Sequence, residues 1–298
     1  MAISLKPLNE QVMVITGASS GIGLATALAA AQAGASLVLA ARSSDVLTSV
    51  AREIGERGGR VFAVVADVAN PTDLERVADV ALREFGRIDT WVNNAGISIY
   101  GRLDEVALED QRRLFDVNYW GVVYGSLIAL RHLRTEGGAI INLGSEVSDA
   151  VAPLQGTYSA SKHAVKGFTD ALRVEVEEVD KAPVSITLIQ PTAVNTPYPE
   201  HAKNYLSREP ALPKPMVEPE RVAQAILDAA KSPTRDKKVG FMSTMNTLTA
   251  KLMPGIADKL SAKKVEPQQK NMPPQRDPEG ALYRASEDGR IHGSPAAE

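Results

Sequence analysis

A tyrosine and a lysine four residues apart have the chemistry of a proton-transfer site. Tyr158 and Lys162 lie in the segment Tyr-Ser-Ala-Ser-Lys, which is expected to begin a helix, and residues four apart share one helix face. A free tyrosine has a pKa of about 10, and a nearby cation lowers it by favouring the phenolate. We therefore predict that Tyr158 donates or accepts a proton near neutral pH. The spacing is common on helix surfaces, so the pair needs support from other groups.

A serine supplies part of that support. Ser145 follows the β-branched run Ala139–Leu143 and Gly144, thirteen residues before Tyr158. Sites in parallel α/β sheets form at the carboxyl ends of strands, where a serine hydroxyl can hold a substrate oxygen. Glu146 comes next, and we expect it to face solvent rather than the substrate cleft.

A glycine-rich turn predicts a binding site for a dinucleotide. The apolar strand Val12–Thr16 is followed by Gly-Ala-Ser-Ser-Gly-Ile-Gly and then by a helical run of alanine and leucine. Glycines allow a sharp turn close to a pyrophosphate, and a helix N-terminus presents unpaired N–H groups to an anion. The predicted phosphate-binding residues are Gly17, Ser19, Ser20, Gly21, Ile22 and Gly23.

The same turn permits a different activity. Gly-Ala-Ser-Ser-Gly matches the G-x-S-x-G nucleophile elbow of α/β-hydrolases, so a serine hydrolase using Ser19 is an alternative. It would require an acid and a histidine, and no histidine stands in a recognisable site. The four histidines are therefore expected to be surface or hydrogen-bonded residues: His132, His163, His201 and His292.

The end of the second strand indicates the cofactor. Leu37–Ala41 is followed by Arg42 and Ser43, where an NAD site commonly has an acidic residue that binds the ribose 2′-hydroxyl. A guanidinium can instead bind a 2′-phosphate, which a carboxylate would repel. The sequence therefore favours NADP(H) over NAD(H).

Strands and helices alternate along the chain. The candidate strands are Val12–Thr16, Leu37–Ala41, Arg60–Ala66, Ile88–Asn93, Ala139–Leu143, Ser185–Gln190 and Lys238–Met242. This alternation predicts an α/β fold, a Rossmann-type doubly wound parallel sheet of about seven strands with helices on both faces.

One large domain and a C-terminal extension are predicted. Residues 1–245 form the dinucleotide-binding and catalytic domain, 246–263 a C-terminal helix and 264–298 an extended or flexible tail. The helix is expected to dock on its own domain, although a partner surface or a membrane interface is conceivable. The long connection Pro197–Val217 has the length of a lid or binding loop.

Composition excludes several classes of protein. The net charge of −3 is spread along the chain, so no nucleic acid partner is expected. With no cysteine, disulfides, thiolate nucleophiles and Cys-based zinc sites are excluded, and no metal site is predicted. The uncharged stretch Val12–Ala41 is broken by glycines, so we expect no transmembrane segment, and the absence of a secretory signal predicts a cytoplasmic location.

Taken together, these motifs closely resemble the classical short-chain dehydrogenase/reductase family over roughly residues 8–245. The matching features, in family order and spacing, are the glycine turn from Thr16 to Gly23, Asn93-Asn94-Ala95-Gly96, Asn118, Ser145 and the Tyr158–Lys162 segment.

The resemblance implies four catalytic residues. Tyr158 would be the general acid in reduction and the general base in oxidation, and Ser145 would orient the carbonyl and stabilise its developing charge. Lys162 would bind the nicotinamide ribose and lower the pKa of Tyr158, and Asn118 would hold a proton-relaying water. This intact set argues against a third possibility, a cofactor-binding regulator without turnover.

The resemblance also implies further cofactor contacts. They are Asp67 and Val68 at the adenine, Asn94, Ala95 and Gly96 near the adenosine ribose and sheet core, and Pro191, Val194 and Thr196 at the nicotinamide. Thr192 departs from the family, which often has glycine there. The substrate is expected to be a small carbonyl or alcohol in an apolar cleft near Ile97, Ile99, Tyr100, Val147, Leu154, Tyr198 and Tyr205. A homodimer or homotetramer, packed through the long helices, is also implied.

Overall fold

A seven-stranded parallel sheet forms the centre of the molecule. The computed structural model describes residues 3–285 and 289–294. The sheet order is β3-β2-β1-β4-β6-β7-β9, and every pairing is parallel. Its strands are β1 Val12–Thr16, β2 Ser36–Ala41, β3 Val61–Val65, β4 Thr90–Asn93, β6 Gly138–Leu143, β7 Val184–Pro191 and β9 Asp236–Val239, and a separate small sheet pairs β5 Ile99–Tyr100 with β8 Lys203–Asn204. The predicted fold class is confirmed.

Helices cover both faces of the sheet. They are α1 Gly21–Gln32, α2 Ser44–Glu56, α3 Pro71–Phe85, α4 Leu108–Phe115, α5 Gly121–Glu136, α6 Gly156–Arg173, α7 Tyr198–His201, α8 Pro219–Lys231, α9 Phe241–Leu252 and α10 Pro254–Ala262. Because side chains alternate along a strand, Val14 of β1 packs with α3, α5 and α6, whereas Met13 and Ile15 pack with α1, α2 and α8. No helix in the described part of the chain is long and apolar enough to cross a membrane, and Val12–Ala41 folds as β1, α1 and β2.

The last strand and the C-terminal helix differ from their predicted bounds. The strand expected over Lys238–Met242 is Asp236–Val239, because Gly240 has a φ of 99° and turns the chain into α9. The stretch 246–263 is divided between α9 and α10. Pro254 starts the second helix, since a proline lacks the N–H that would continue the first.

The segment after α10 runs extended along the long connection between β7 and α8. Lys270 N–H donates to the Glu209 carbonyl at 2.8 Å, and Asn204 N–H donates to the Pro278 carbonyl at 2.7 Å. Leu282 is completely buried in the core. Residues 286–288 and 295–298 of the predicted tail lie outside the described residues.

Buried polar side chains fix the sheet beneath its carboxyl edge. Asn93 Nδ2 of β4 donates to Asn142 Oδ1 of β6 at 2.8 Å and to Ser126 Oγ of α5 at 3.0 Å. Asn142 Nδ2 donates to Thr169 Oγ1 of α6 at 3.0 Å, and Trp91 Nε1 donates to Asn93 Oδ1 at 2.8 Å. Two strands and two helices are thereby held in register directly below the candidate site.

Candidate active site and cofactor cleft

One cavity follows the carboxyl edge of the sheet across β1 and β4, where the strand order reverses. Ligands of open α/β sheets bind in the crevice at this point. Two predicted site residues, Gly23 and Asn118, lie behind the cavity wall. The others all line it: Gly17, Ser19, Ser20, Gly21, Ile22, Arg42, Ser43, Asp67, Val68, Asn94, Ala95, Gly96, Ser145, Tyr158, Lys162, Pro191, Val194 and Thr196.

The glycine turn is packed tightly against the end of β4. Gly17 has a φ of 67°, and a Cβ there would lie 2.7 Å from Ala95 Cα. A Cβ at Gly23 would lie 2.1 Å from the Gly17 carbonyl oxygen, so α1 can begin directly under the turn only without a side chain. Asn94 Nδ2 braces the turn by donating to the Thr16 carbonyl at 2.9 Å. Asn94 and Ala95 thus shape the turn as well as the cavity wall.

Ser145 and Tyr158 meet at the middle of the cavity. Ser145 caps the short helix Glu146–Ser148: its Oγ accepts from Val147 N–H at 3.3 Å, and its own N–H donates to Ser148 Oγ at 3.1 Å. Tyr158 lies in the first turn of α6, with the Ser145 hydroxyl close enough to lower its pKa. A substrate oxygen placed between the two hydroxyls can therefore contact both.

Burial sets the proton affinity of Tyr158 in this structure. Burial raises its pKa, the Tyr198 and Ser145 hydroxyls oppose that rise, and the Glu146 carboxylate adds to it. The lowering expected from Lys162 is not seen, because Lys162 Nζ donates to the Leu143 carbonyl at 2.7 Å and lies 5.7 Å from the Tyr158 ring centroid. Burial also lowers the pKa of Lys162 to about 8.

Asn118 lies behind Lys162 in a distorted helical turn. The helix between α4 and α5 widens to a π-turn at Asp116–Trp120, and such turns often mark functional positions. Asn118 is fully buried: its Oδ1 accepts from Ile97 N–H at 2.8 Å, and its Nδ2 donates to Ser161 Oγ at 3.2 Å. Its side chain therefore fixes the loop after β4 against the start of α6.

Tyr198 places a second phenol hydroxyl near Tyr158, although the sequence analysis expected it only as an aromatic wall of the cleft. Its ring centroid lies 5.5 Å from that of Tyr158, and its buried hydroxyl makes no hydrogen bond with a described residue. The Ser98 and Tyr158 hydroxyls come near enough to influence its pKa, which burial raises well above the usual value, but they complete no bond of good geometry. Of the predicted apolar cleft, Ile97, Val147 and Tyr198 line the cavity, whereas Ile99, Tyr100, Leu154 and Tyr205 stand outside its lining.

Two arginines and the C-terminal tail meet at the outer end of the cavity. Arg42 Nη2 and Nη1 donate to the carbonyls of Ala281 and Leu282 at 2.5 and 3.3 Å. Arg113 Nε donates to the same Leu282 carbonyl at 3.2 Å, and its Nη2 pairs with Asp67 at 2.5 Å. Neither Arg113 nor the tail was among the predicted site residues.

Glu146 links the catalytic edge of the sheet to α9, contrary to the expectation that it faces solvent. Half-buried in the cavity wall, its Oε2 accepts from Thr192 Oγ1 at 3.1 Å and from Asn246 Nδ2 at 2.7 Å. Thr192, which stands where the resembling family often has glycine, does not take a positive φ. Gly240 provides its space, since a Cβ at Gly240 would lie 2.4 Å from Thr192 Cγ2.

The sequence model of the family described as short chain dehydrogenase matches residues 11–205, about two thirds of the chain. The chain belongs to the short-chain dehydrogenase family. The matched part contains the glycine turn, Asn118, Ser145, Tyr158 and Lys162, so the resemblance noted from the motifs is confirmed. This short-chain dehydrogenase is therefore an oxidoreductase, and its family gives no support to a hydrolase that uses Ser19.

Individual relatives agree with this assignment. An uncharacterised oxidoreductase, YxnA of Bacillus subtilis (strain 168), is 44% identical over 95% of this chain and 80% of its own length. Dehydrogenase/reductase SDR family member 7B of Mus musculus is 32% identical over 89% of this chain and 84% of its own. The 11-beta-hydroxysteroid dehydrogenase A of Sesamum indicum is 42% identical over 61% of this chain and 51% of its own length.

Two solved structures share the fold and carry nicotinamide nucleotides. An alcohol dehydrogenase from the archaeon Thermococcus sibiricus, complexed with 5-hydroxy-NADP, has a TM-score of 0.67 and 31% identity over 77% of this chain and 94% of its own. A short-chain dehydrogenase/reductase from Burkholderia phymatum, in complex with NAD, has a TM-score of 0.72 and 26% identity over 92% of this chain and all of its own.

Proposed function

We propose that this short-chain dehydrogenase is an NADP(H)-dependent oxidoreductase that moves a hydride between the nicotinamide and a carbonyl or alcohol carbon. The observation that carries the proposal is a single cavity in which Ser145, Tyr158 and Lys162 share a wall with the glycine turn and Arg42. The cavity has a phosphate-binding helix N-terminus at one end and a proton donor at the other, as a dinucleotide reaction requires.

The catalytic residues handle the proton while the cofactor, when bound, supplies or accepts the hydride. In reduction, Tyr158 gives its phenolic proton to the carbonyl oxygen, and Ser145 donates a hydrogen bond to that oxygen as negative charge develops on it. In oxidation, Tyr158 takes the proton from the alcohol. Lys162, which donates to the Leu143 carbonyl in this structure, would hold the nicotinamide ribose beside Tyr158.

The residues present fit the parts of a dinucleotide in order along the cavity. The start of α1 at Gly21 and Ile22 would hold the pyrophosphate, and Arg42 would hold the 2′-phosphate. Asp67 and Val68 would contact the adenine, and the turn that holds Pro191, Val194 and Thr196 would hold the nicotinamide carboxamide.

The cavity walls support a fairly hydrophobic substrate. Apolar and aromatic side chains form much of its lining, among them Ile97, Val147, Tyr198, Leu212 and Pro213. The sesame relative is named for an 11-beta-hydroxysteroid. We therefore expect alicyclic and long-chain ketones to be better substrates than small hydroxy acids.

The proposal is tested by following NADPH oxidation with a panel of ketones and aldehydes, including steroid ketones. Turnover of at least one carbonyl compound is the expected result. Tight NADPH binding with no turnover across the panel would instead favour the cofactor-binding regulator. Labelling by a fluorophosphonate that is lost on Ser19→Ala would favour the hydrolase.

The proposal also includes an oligomeric state and a location in the cell. Leu127 of α5 is exposed, as are Trp120 and Val174 and Val179 in the π-helical segments next to α5 and α6. These exposed apolar side chains support packing of two or four copies through the long helices. Sedimentation velocity would measure it. The homodimer or homotetramer and the cytoplasmic location stay predictions.

The pKa shifts predict opposite pH dependences for the two directions. The raised pKa of Tyr158 keeps it protonated at neutral pH, so kcat/KM for reduction should be level below pH 8. Burial lowers the pKa of Lys162 to about 8, so above that pH Lys162 loses the charge with which it would hold the nicotinamide ribose, and reduction should decline. Oxidation needs the phenolate and should rise with pH. Rates of both directions across one buffer series measure this, and oxidation that is fastest in acid would contradict it.

The tail is predicted to compete with the cofactor. Gly21 N–H, at the proposed pyrophosphate site, donates to the Arg290 carbonyl at 2.9 Å, and Glu200 holds that segment through Arg290 and Ser294. A hydrogen bond contributes about 1 kcal/mol net, so ending the chain after Ala285 should lower the Kd for NADPH about tenfold. Stopped-flow fluorescence should also show faster association.

Glu279→Gln is the control. It removes the ion pair between Glu279 of the tail and Lys203 and should leave the Kd for NADPH unchanged. If the shortened chain binds NADPH more weakly, the tail closes over the cofactor instead of competing with it.

A further inference from the structure

Helix α9 is docked on the protein through its polar side. Ser243 and Thr247 are buried, and Ser243 Oγ donates to the Gln190 carbonyl at 2.9 Å. Asn246 on the same side bonds to Glu146. Surface helices of globular proteins normally bury their apolar side and expose their polar side. The orientation of α9 is the reverse of that pattern.

The outer side of α9 and α10 is a continuous apolar stripe. Phe241 is 76% exposed and Leu252 is 69% exposed, and both lie on the helix face that also carries Met245 and Leu248. Met253, Ile256 and Leu260 continue the exposed apolar surface through the turn and along α10. We call these seven residues the outer stripe. Contiguous exposed apolar surface of this kind marks an interaction site, whereas single exposed apolar residues do not.

The charge around the outer stripe indicates what it contacts. Residues 241–264 carry four lysines and one aspartate, although the whole chain has a net charge of −3. Lys259 and Lys263 are exposed and form no ion pair with any residue in the described ranges. Two copies meeting through this face would bring like charges together, whereas an anionic lipid surface would attract them. Apolar side chains bordered by lysines are the composition of interfacial helices.

We propose that α9 and α10 bind the surface of an anionic lipid bilayer, with the outer stripe among the acyl chains and Lys259 and Lys263 at the headgroups. The site cavity reaches the same surface: Leu260 is part of the stripe and also lines the cavity, together with Ala257 and Ser261. Bilayer contact would therefore place the cavity mouth at the lipid boundary. No described helix spans a membrane, so the contact is peripheral and reversible.

Vesicle flotation with the full chain tests the proposal. The protein should float with vesicles of equimolar phosphatidylglycerol and phosphatidylcholine, less with phosphatidylcholine alone, and less again as salt rises. The double variant Leu248→Ser/Leu252→Ser should weaken binding about tenfold or more, because two exposed leucines no longer enter the lipid. Lys259→Glu/Lys263→Glu should weaken binding to the anionic vesicles only.

The matched control is Leu103→Ser/Val65→Ser, which removes two exposed apolar side chains from other faces and should float as the native chain does. The proposal is overturned if the native chain does not float with anionic vesicles, or if Leu248→Ser/Leu252→Ser floats unchanged. It is also overturned if that variant alters the sedimentation coefficient without altering flotation, since the stripe would then join two copies. Flotation needs no turnover, so the outcome is separate from that of the proposed reaction.

Discussion

Tyr158→Phe is expected to lower kcat/KM for carbonyl reduction about 10³-fold. The substitution keeps the ring and removes only the hydroxyl, which would supply the proton and, with Ser145, contact the substrate oxygen. General acid catalysis by a positioned side chain contributes about 10²- to 10⁴-fold. Tyr198 is a neighbouring phenol, with its ring centroid 5.5 Å from that of Tyr158 and its hydroxyl without a hydrogen bond to any described residue.

The measurement is steady-state NADPH oxidation together with the Kd for NADPH, which should change little. Tyr124→Phe is the matched control, because Tyr124 of α5 stacks on Trp120 and is not part of the cavity lining. A Tyr158→Phe enzyme with full activity would remove Tyr158 from the mechanism. Residual activity that disappears in Tyr158→Phe/Tyr198→Phe would show that the second phenol can substitute for the first.

Arg42→Asp is expected to lower the ratio of kcat/KM for NADPH to that for NADH about 100-fold. A hydrogen bond to a charged group contributes about 1.5–3 kcal/mol, and each 1.4 kcal/mol corresponds to a factor of ten. The introduced carboxylate would also repel a 2′-phosphate and could accept from a ribose hydroxyl. The structure shows that the guanidinium already binds oxygen atoms at this place, because two tail carbonyls accept from it.

Arg52→Asp, an equal charge change at an exposed position on the following helix, is the control and should leave the ratio unchanged. If Arg42→Asp also left it unchanged, Arg42 would not determine cofactor choice. Arg113, which donates to the same Leu282 carbonyl, would then be the next guanidinium to substitute.

Local patterns in the sequence were sufficient for the sheet and for most of the cavity. Every strand of the parallel sheet except β9 is a short, largely apolar run. The predicted glycine turn, Arg42 and Ser145 each follow such a run, so the topology brings them to one edge of the sheet. Gly17, Ser145 and Tyr158 could be placed in this way because their positions depend on the strand or helix that they directly follow or begin.

Contacts between distant parts of the chain could not be predicted. The Arg42–Leu282 hydrogen bond joins residues 240 positions apart, and nothing in the composition of the tail points to a partner. Thr192 shows the same limit: its fit depends on the missing Cβ of Gly240, a residue that the sequence placed inside the predicted strand Lys238–Met242. The pKa of Tyr158 is raised, not lowered as expected, because burial is the largest influence on it, and burial is a property of the whole fold.

The buried network of Asn93, Asn142, Ser126 and Thr169 makes these four positions dependent on one another. Replacing one side chain would leave a partner's polar atom without a hydrogen bond in the core, at a cost of about 1–3 kcal/mol. Replacing the whole group with apolar side chains of similar volume would strand no such atom. The effects of these substitutions on stability are therefore non-additive. Each single substitution would make the protein less stable than both the native protein and the variant in which all four side chains are apolar.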